Sequence, residues 1–403
     1  MTVKQRKLPR GLALIALAYA AFIALGLPDG LIGVAWPSIR SQFKLDIDAL
    51  GLLLIAATAG YIVSSFFSGR LMAKLKAGVL LSLSCGLTGA VMIGYCLVPS
   101  WILMTVLGVF AGLGAGAIDA GLNTYAADNF SERQMQWLHA SYGIGVTLGP
   151  LMMTYAVNVL GNWKTGYVAG GIIQLSLAFC FIVTARKWEK TGTNRASAAD
   201  RERSRPETSV RSTLGELPVW KSLGLFFLYS GAEVTLGIWA YTILTVSRGV
   251  EPVIAGIWAG SYWATFTVGR IFAGFFVRRI RSRTLVLSCL VLALAGAVLF
   301  WLNLTRGLSL AGVAAIGFAI APLFPAFVSA TKDRVGAKHS GNTIGMQMSF
   351  AGLGFSVIPA LAGVLAKKFS PEIIPLFLVV LFISITVLFL TFPDPARGIH
   401  DRP

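Results

Sequence analysis

The chain is predicted to be an all-α membrane protein with twelve transmembrane helices arranged as two six-helix bundles in a parallel repeat. Three observations carry this reading: apolar stretches of membrane-spanning length, a one-sided distribution of positive charge, and an internal repeat. Hydrophobic residues make up 56% of the 403 and charged residues only 13%, with a mean hydropathy of +0.74. A soluble protein of this length could not cover so much apolar surface, whereas stretches of about 20 apolar residues each suffice to cross a bilayer core.

Twelve such stretches run near 11–37, 49–70, 78–98, 102–127, 137–160, 165–185, 220–246, 254–277, 284–303, 308–330, 341–366 and 373–392. The basic lead Met1–Arg10 enters a first span too long for a removed signal peptide. With the N-terminus inside, 26 of the 34 Lys and Arg fall in cytoplasmic segments, 7 in external loops and one, Arg270, in a span. This positive-inside bias predicts a multi-pass inner-membrane protein with both termini cytoplasmic. It also accounts for the net charge of +17 without a nucleic-acid partner. The polar stretch around 188–219 reads as a linker between an N-terminal bundle, 1–187, and a C-terminal bundle, 220–403.

Cys85, Cys96, Cys180 and Cys289 lie in spans without metal-ligand spacing, so neither a metal nor a disulfide framework is expected. No phosphate-cradling Gly-x4-Gly-Lys-Ser/Thr loop occurs, and no soluble region could hold a catalytic domain. The expectation is a monomer that is not an enzyme, has no cofactor, and has a small molecule, coupling ions and the bilayer as partners.

The halves repeat each other. Asp29 and Gly33 match Glu233 and Gly237, and Gly69, Lys74 and Lys76 match Gly274, Arg279 and Arg281. Gly143-Ile144-Gly145 with Pro150 matches Gly352-Leu353-Gly354 with Pro359. Offsets of 204, 205 and 209 in the same order point to duplication of a six-helix unit, parallel about an axis along the membrane normal. This organisation resembles the major facilitator superfamily, which implies a substrate site between the halves, exposed alternately by rocking. Gly69-Arg70-Leu71-Met72-Ala73-Lys74-Leu75-Lys76 is similar to that superfamily's Gly-x-x-x-Asp-Arg/Lys-x-Gly-Arg loop, with Ala73 in place of the Asp and Lys76 in place of the second Gly. Arg70 and Lys74 are therefore gating candidates, alongside a plain role as cationic anchors at the membrane surface.

Three carboxylates lie inside apolar spans: Asp29, Asp119 and Glu233. A charge at bilayer depth costs on the order of 2.5–3.5 kcal/mol, so such groups usually mark a substrate or ion path. Asp119 and Asn123, four apart, share one helix face and offer an acceptor beside an amide that both donates and accepts. Pro28-Asp29-Gly30 predicts an interruption in the first span; Pro322, Pro325 and Pro359 mark weak points in the tenth and eleventh. His139 lies at a depth that allows contact with Asp119, although such a histidine more often bonds a neighbouring backbone or side chain. Glu233 and Arg270 fit either a buried ion pair or separate cavity roles, with Arg270 also suited to a cytoplasmic gate. The small-residue face Gly108, Gly112, Gly114, Gly116 predicts close helix approach. Aromatic rings with polar edges suit sugar faces, which singles out Tyr142, Tyr229, Trp239 and Trp263, with Gln174 and Gln347 as hydroxyl partners.

Asp29, Asp119-x3-Asn123, and Leu138-His139-x2-Tyr142-Gly143-x-Gly145-x3-Gly149-Pro150 resemble the fucose-permease-like branch of the superfamily, the fucose:proton symporters and related glucose transporters. That branch carries an acid in span 1, Glu-x3-Asn-Pro in span 4 and a similar span-5 pattern; here Asp119 replaces the Glu and Thr124 the Pro. The resemblance implies that Asp29 binds substrate and couples it to protonation, that Asp119 is the principal proton-titrating group, and that Asn123 contacts substrate. Glu233 and His139 complete the proton-coupling candidates. The expected function is import of a neutral monosaccharide or similar polyol by proton symport, with sodium as the other candidate ion. The rivals are proton-coupled efflux of an amphipathic compound, a lipid flippase, and a membrane sensor that does not transport.

Overall fold

The computed structural model describes residues 10–75, 77–130, 132–190, 209–276 and 281–393. The gating candidates Arg70 and Lys74 fall on helical backbone, but their side chains lie outside the description, as do Lys76, Arg279 and most of the linker. The described chain is built of helices. In the first half these are α1 (Arg10–Phe43), α2 (Leu50–Leu75), α3 (Ala77–Leu97), α4 (Trp101–Asn129), α5 (Glu132–Asn158) and α6 (Trp163–Lys190), with a 3₁₀ turn, Ile47–Ala49, before α2. A short α7 (Val210–Leu214) precedes α8 (Leu217–Thr242), α9 (Pro252–Phe276), α10 (Ser282–Leu302), α11 (Arg306–Ile320), α12 (Leu323–Ser329), α13 (Thr331–Val335), α14 (Ala337–Lys368) and α15 (Ile373–Leu390).

Among the described residues, ten helical segments are long and apolar enough to cross a membrane by length and composition. The remaining two of the twelve are α5 and α9, of 27 and 25 residues. They face each other between the halves, which is why they carry polar residues. Local sequence sets several ends. Ser100 and Thr305 cap α4 and α11 by accepting from the amides of Leu103 and Leu308, and Asn303 takes the left-handed conformation (φ 46°) that stops α10. Pro322 divides the tenth span into α11 and α12, as its position predicts.

The first span is not interrupted. α1 runs unbroken through Pro28 and Pro37, correcting the expectation of a break at Pro28-Asp29-Gly30. A proline lacks the N–H that would bond the carbonyl four residues earlier. For Pro28 that carbonyl belongs to Ala24, and it accepts instead from Nε2 of Gln174 at 2.8 Å. A neighbouring helix thus satisfies the freed group, as the bilayer interior demands.

Packing reproduces the repeat. The pairs α1–α5, α2–α4, α3–α4 and α3–α6 correspond to α8–α14, α9–α11, α10–α11 and α10–α15. A Cβ on Gly145 would lie 2.0 Å from the carbonyl oxygen of Ile23, and one on Gly354 would lie 2.2 Å from that of Phe227. Those pairs are related by the same two offsets, 204 and 209, that relate Asp29 to Glu233 and Gly145 to Gly354. The glycine face of α4 meets α2 in the same way: a Cβ on Gly112 would fall 1.8 Å from the Ala57 carbonyl oxygen.

The halves join mainly through α1–α8, α2–α14 and α5–α9. Taking the end that carries Arg10 and Leu390 as the terminal end, the joining contacts cluster at the opposite, far end. Gly33 of α1 sits 2.9 Å (Cβ position) from the Gly237 carbonyl of α8, so two repeat-related glycines face each other at the crossing. Gly51 meets Ala360, and Gly256 meets Thr154. Lys367 of α14 pairs with Asp46 (2.8 Å) and Asp48 (3.3 Å) of the α1–α2 connection.

Replacing Gly33 with Leu should force α1 away from α8 and oppose closure of the far end. Spin labels at Lys44 and Phe369 would then report a longer distance, and the strain should cost about 1–3 kcal/mol. The hydrogen bond and charge of Lys367 hold the Asp46 carboxyl below the usual carboxylate range. Its contribution is therefore complete above that range, near pH 4, and disappears as pH falls through its lowered value. Thermal melts should show an acid limb that Lys367→Met lacks.

Candidate functional site

Close packing of α1 on α5 builds the N-terminal side of the site. A Cβ on Gly26 would touch the Tyr142 carbonyl at 2.5 Å, and one on Gly149 would lie 2.7 Å from Cα of Gly30. With the backbones in contact, the Tyr142 hydroxyl donates to Asp29 Oδ2 at 2.7 Å. Asp29 is exposed although it lies deep within α1. The charges of Glu233 and Arg270 also reach Tyr142, so the exposed Asp29 carboxylate lies near the division between the halves. Asp119 lies close enough for its charge to act on Asp29.

Asp119 is held from two sides. Tyr61 of α2 donates its hydroxyl to Oδ2, and Asn123 Nδ2 donates to Oδ1 at 2.7 Å and to the Asp119 carbonyl at 3.0 Å. The α2–α4 glycine contact makes this possible: a Cβ on Gly116 would lie 2.5 Å from the Tyr61 carbonyl. Tyr61 is the functional candidate that the sequence reading missed. Its signal is the polar stripe Tyr61, Ser64, Ser65 in a largely apolar span.

Glu233 of α8 is buried, at 6% exposure, one turn from the Gly33–Gly237 crossing. Tyr229 and Arg270 are the groups that act on its carboxylate. Among the described residues Glu233 and Arg270 form no ion pair. The Arg270 guanidinium instead lies 4.3 Å from the centre of the Phe266 ring. Among the described residues His139 makes no hydrogen bond or ion pair with Asp119; it packs edge-on against Phe22 (5.7 Å) and lies within reach of the charge of Arg270.

Several expected sugar contacts are committed elsewhere. Gln174 is 1% exposed and holds the Ala24 carbonyl. Gln347, fully buried, donates to Ser222 (2.7 Å) and bonds Thr331, tying α8, α13 and α14 together. Trp239 donates to the Pro359 carbonyl at 3.0 Å and packs against Gly363 at the closed far end. Tyr229 spends its hydroxyl on the Ile320 carbonyl at 3.1 Å, where α11 stops before Pro322. In each case a buried polar group found a protein partner, as low-dielectric surroundings require. Trp263, 3% exposed, stacks on Gly237, and its indole N–H has no partner among the described residues. The assembled site is therefore Asp29 with Tyr142, Asp119 with Tyr61 and Asn123, Glu233, Arg270 and His139, with Trp263 beside them.

Tyr61→Phe and Tyr142→Phe should each destabilise the protein by about 0.5–2 kcal/mol, judged by thermal unfolding in detergent. Asp119→Asn should cost less than Asp119→Leu, because the leucine deprives the part-buried Tyr61 hydroxyl of its acceptor and leaves Asn123 only the main-chain carbonyl.

The model of the Major Facilitator Superfamily matches residues 17–348. Bypass of stop codon protein 6 of Saccharomyces cerevisiae is 25% identical over 413 aligned residues, covering 94% of this chain and 82% of that protein. Sodium-dependent glucose transporter 1A of Mus musculus is 23% identical, covering 86% and 88%. The glucose/mannose transporter GlcP of Bacillus subtilis is 22% identical, covering 86% of each. Two solved structures share the fold. A bacterial homolog of the human lysosomal transporter Spinster, inward-facing and unoccupied, superposes with a TM-score of 0.80 at 13% identity, covering 94% and 96%. The transporter FucP in its outward conformation gives 0.61 at 15% identity, covering 95% and 99%. The chain belongs to the Major Facilitator Superfamily and is a multi-pass membrane transporter, not an enzyme.

Proposed function

We propose that this carrier imports a neutral monosaccharide or similar polyol together with protons, across an inner membrane, with both termini cytoplasmic. The observation that carries the reading is the meeting of carboxylates from both halves around Tyr142. Asp29 and Asp119 come from the first half and Glu233 from the second, with tyrosine hydroxyls bonded to the first two. Carboxylates in such a place bind protons or cations, and together with Asn123 they supply acceptors and donors for sugar hydroxyls. Relatives named as glucose and glucose/mannose transporters support the sugar class. With the termini inside, the far-end closure leaves the cavity facing the cytoplasm, the state from which substrate and proton are released. Rocking about the α1–α8 and α5–α9 contacts would then present the carboxylates to the outside for reloading. Arg70 and Lys74 would serve the inner gate.

The mouse relative is named sodium-dependent, so the ion is tested directly. Proteoliposomes carrying a pH dye inside receive a panel of sugars outside, in sodium-free and sodium-containing buffer. Internal acidification by one sugar, lost in Asp119→Asn, is the expected result. Sugar uptake that requires sodium and moves no proton would replace the proton with sodium. Silence across the panel in both buffers would overturn the sugar reading in favour of efflux.

A further inference from the structure

α5 and α9 run in opposite directions, and they touch where a Cβ on Gly143 would lie 2.5 Å from Thr267 Oγ1. One turn toward the terminal end from that contact, α5 presents His139 and α9 presents Arg270. The two residues therefore stand opposite each other across the division between the halves, and the charge of Arg270 reaches the imidazole. Neither has a hydrogen-bonding partner among the described residues. Nε of Arg270 is buried and unbonded, and His139 makes only its edge contact with Phe22.

An unpaired guanidinium at this depth is costly, and a nearby carboxylate, Glu233, is available in the same half. The guanidinium lies instead over the face of Phe266, fully buried one turn earlier on α9. Stacking of this kind is worth about 0.5–2 kcal/mol. It leaves the terminal N–H groups of Arg270 free to donate. Two uncommitted donors from different halves, on the terminal side of Asp29 and Glu233, are arranged to take acceptor oxygens.

We infer that Arg270, aimed by Phe266, and His139 form an oxygen-binding clamp that spans the two halves and grips hydroxyl oxygens of the transported sugar. The inference rests on the sugar reading above and assigns Arg270 to substrate binding rather than to a gate. In the clamp Arg270 donates to one hydroxyl and His139 bonds a neighbouring one, while Asp29 and Glu233 accept from hydroxyls on the far side of the ring. Because the clamp has one jaw in each half, it is complete only when α5 and α9 are together at this level. Phe266 is a positioning residue: it acts through Arg270.

Sites that hydrogen-bond a hydroxyl strongly reject the analogue lacking it, and this provides the test. Uptake into proteoliposomes is measured for D-glucose, D-mannose and D-xylose, and then for the monodeoxy analogues of the best of them. The unsubstituted carrier should discriminate by about tenfold or more in KM against one analogue. In Arg270→Gln that discrimination should collapse to within about twofold, while Arg270→Lys should retain part of it. Phe266→Leu should raise KM several-fold with little change in kcat, and His139→Ala should flatten selectivity at an adjacent hydroxyl. Should Arg270→Gln not fold, as judged by size exclusion, Phe266→Leu and His139→Ala provide the same comparison. An unchanged analogue profile in folded variants overturns the clamp and leaves the sugar reading standing. Absence of uptake of any sugar by the unsubstituted carrier overturns both.

Discussion

Contact between helix backbones is the constraint on which the rest of this structure depends. In a bilayer the apolar surface of a helix gains little by leaving lipid, so helices associate through close packing and hydrogen bonds. Glycine permits the closest approach, and here it is used wherever the architecture needs precision. Gly145 against Ile23, Gly149 against Gly30, Gly112 against Ala57 and Gly354 against Phe227 lock the pairs that form each half, and Gly33 against Gly237 joins the halves. Each of the two N-terminal carboxylates lies beside such a contact and is bonded by a tyrosine that the contact brings near. The acids are held because the backbones touch.

Proline supplies the complementary device. Pro28 removes a backbone bond within α1, Pro322 ends α11, and Pro359 lies inside α14. Near each, a polar side chain from another helix bonds a backbone carbonyl: Gln174, Tyr229 and Trp239. These bonds cross between helices that are far apart in sequence, so they fix helix rotation, and at Pro28 the bonded carbonyl, that of Ala24, is the one the proline frees. A long polar side chain in a membrane helix therefore has two distinct uses, repair of irregular backbone and contact with cargo. Which one applies depends on whether an unsatisfied carbonyl lies within reach.

Charge is distributed to match motion. Within the C-terminal half, Arg248 bonds both oxygens of Glu372 (2.9 and 2.8 Å), Ser309 and the Phe300 carbonyl, stitching the far ends of four helical segments into one body. Between the halves the tie is lighter: Lys367 with Asp46 and Asp48, half-exposed and screened by salt. A strong network inside one half and a weak one between halves suits rigid bodies that must separate and rejoin.

Much of this was legible in the sequence. Span positions, the repeat, the glycine faces and the three membrane carboxylates all follow from local rules: apolar length, residue spacing, and the cost of burying charge. Offsets of 204 and 209 read from the chain reappear as matching backbone contacts in the two halves. The tertiary structure decided the partners. Tyr61 became an Asp119 ligand, Arg270 settled on Phe266 instead of Glu233, and Gln174, Gln347 and Trp239 turned inward to bond the protein itself. The physical reason is that a helical sequence fixes what a side chain can donate or accept and on which face it lies. The group that answers it sits on another helix, placed by packing between residues tens to hundreds of positions away.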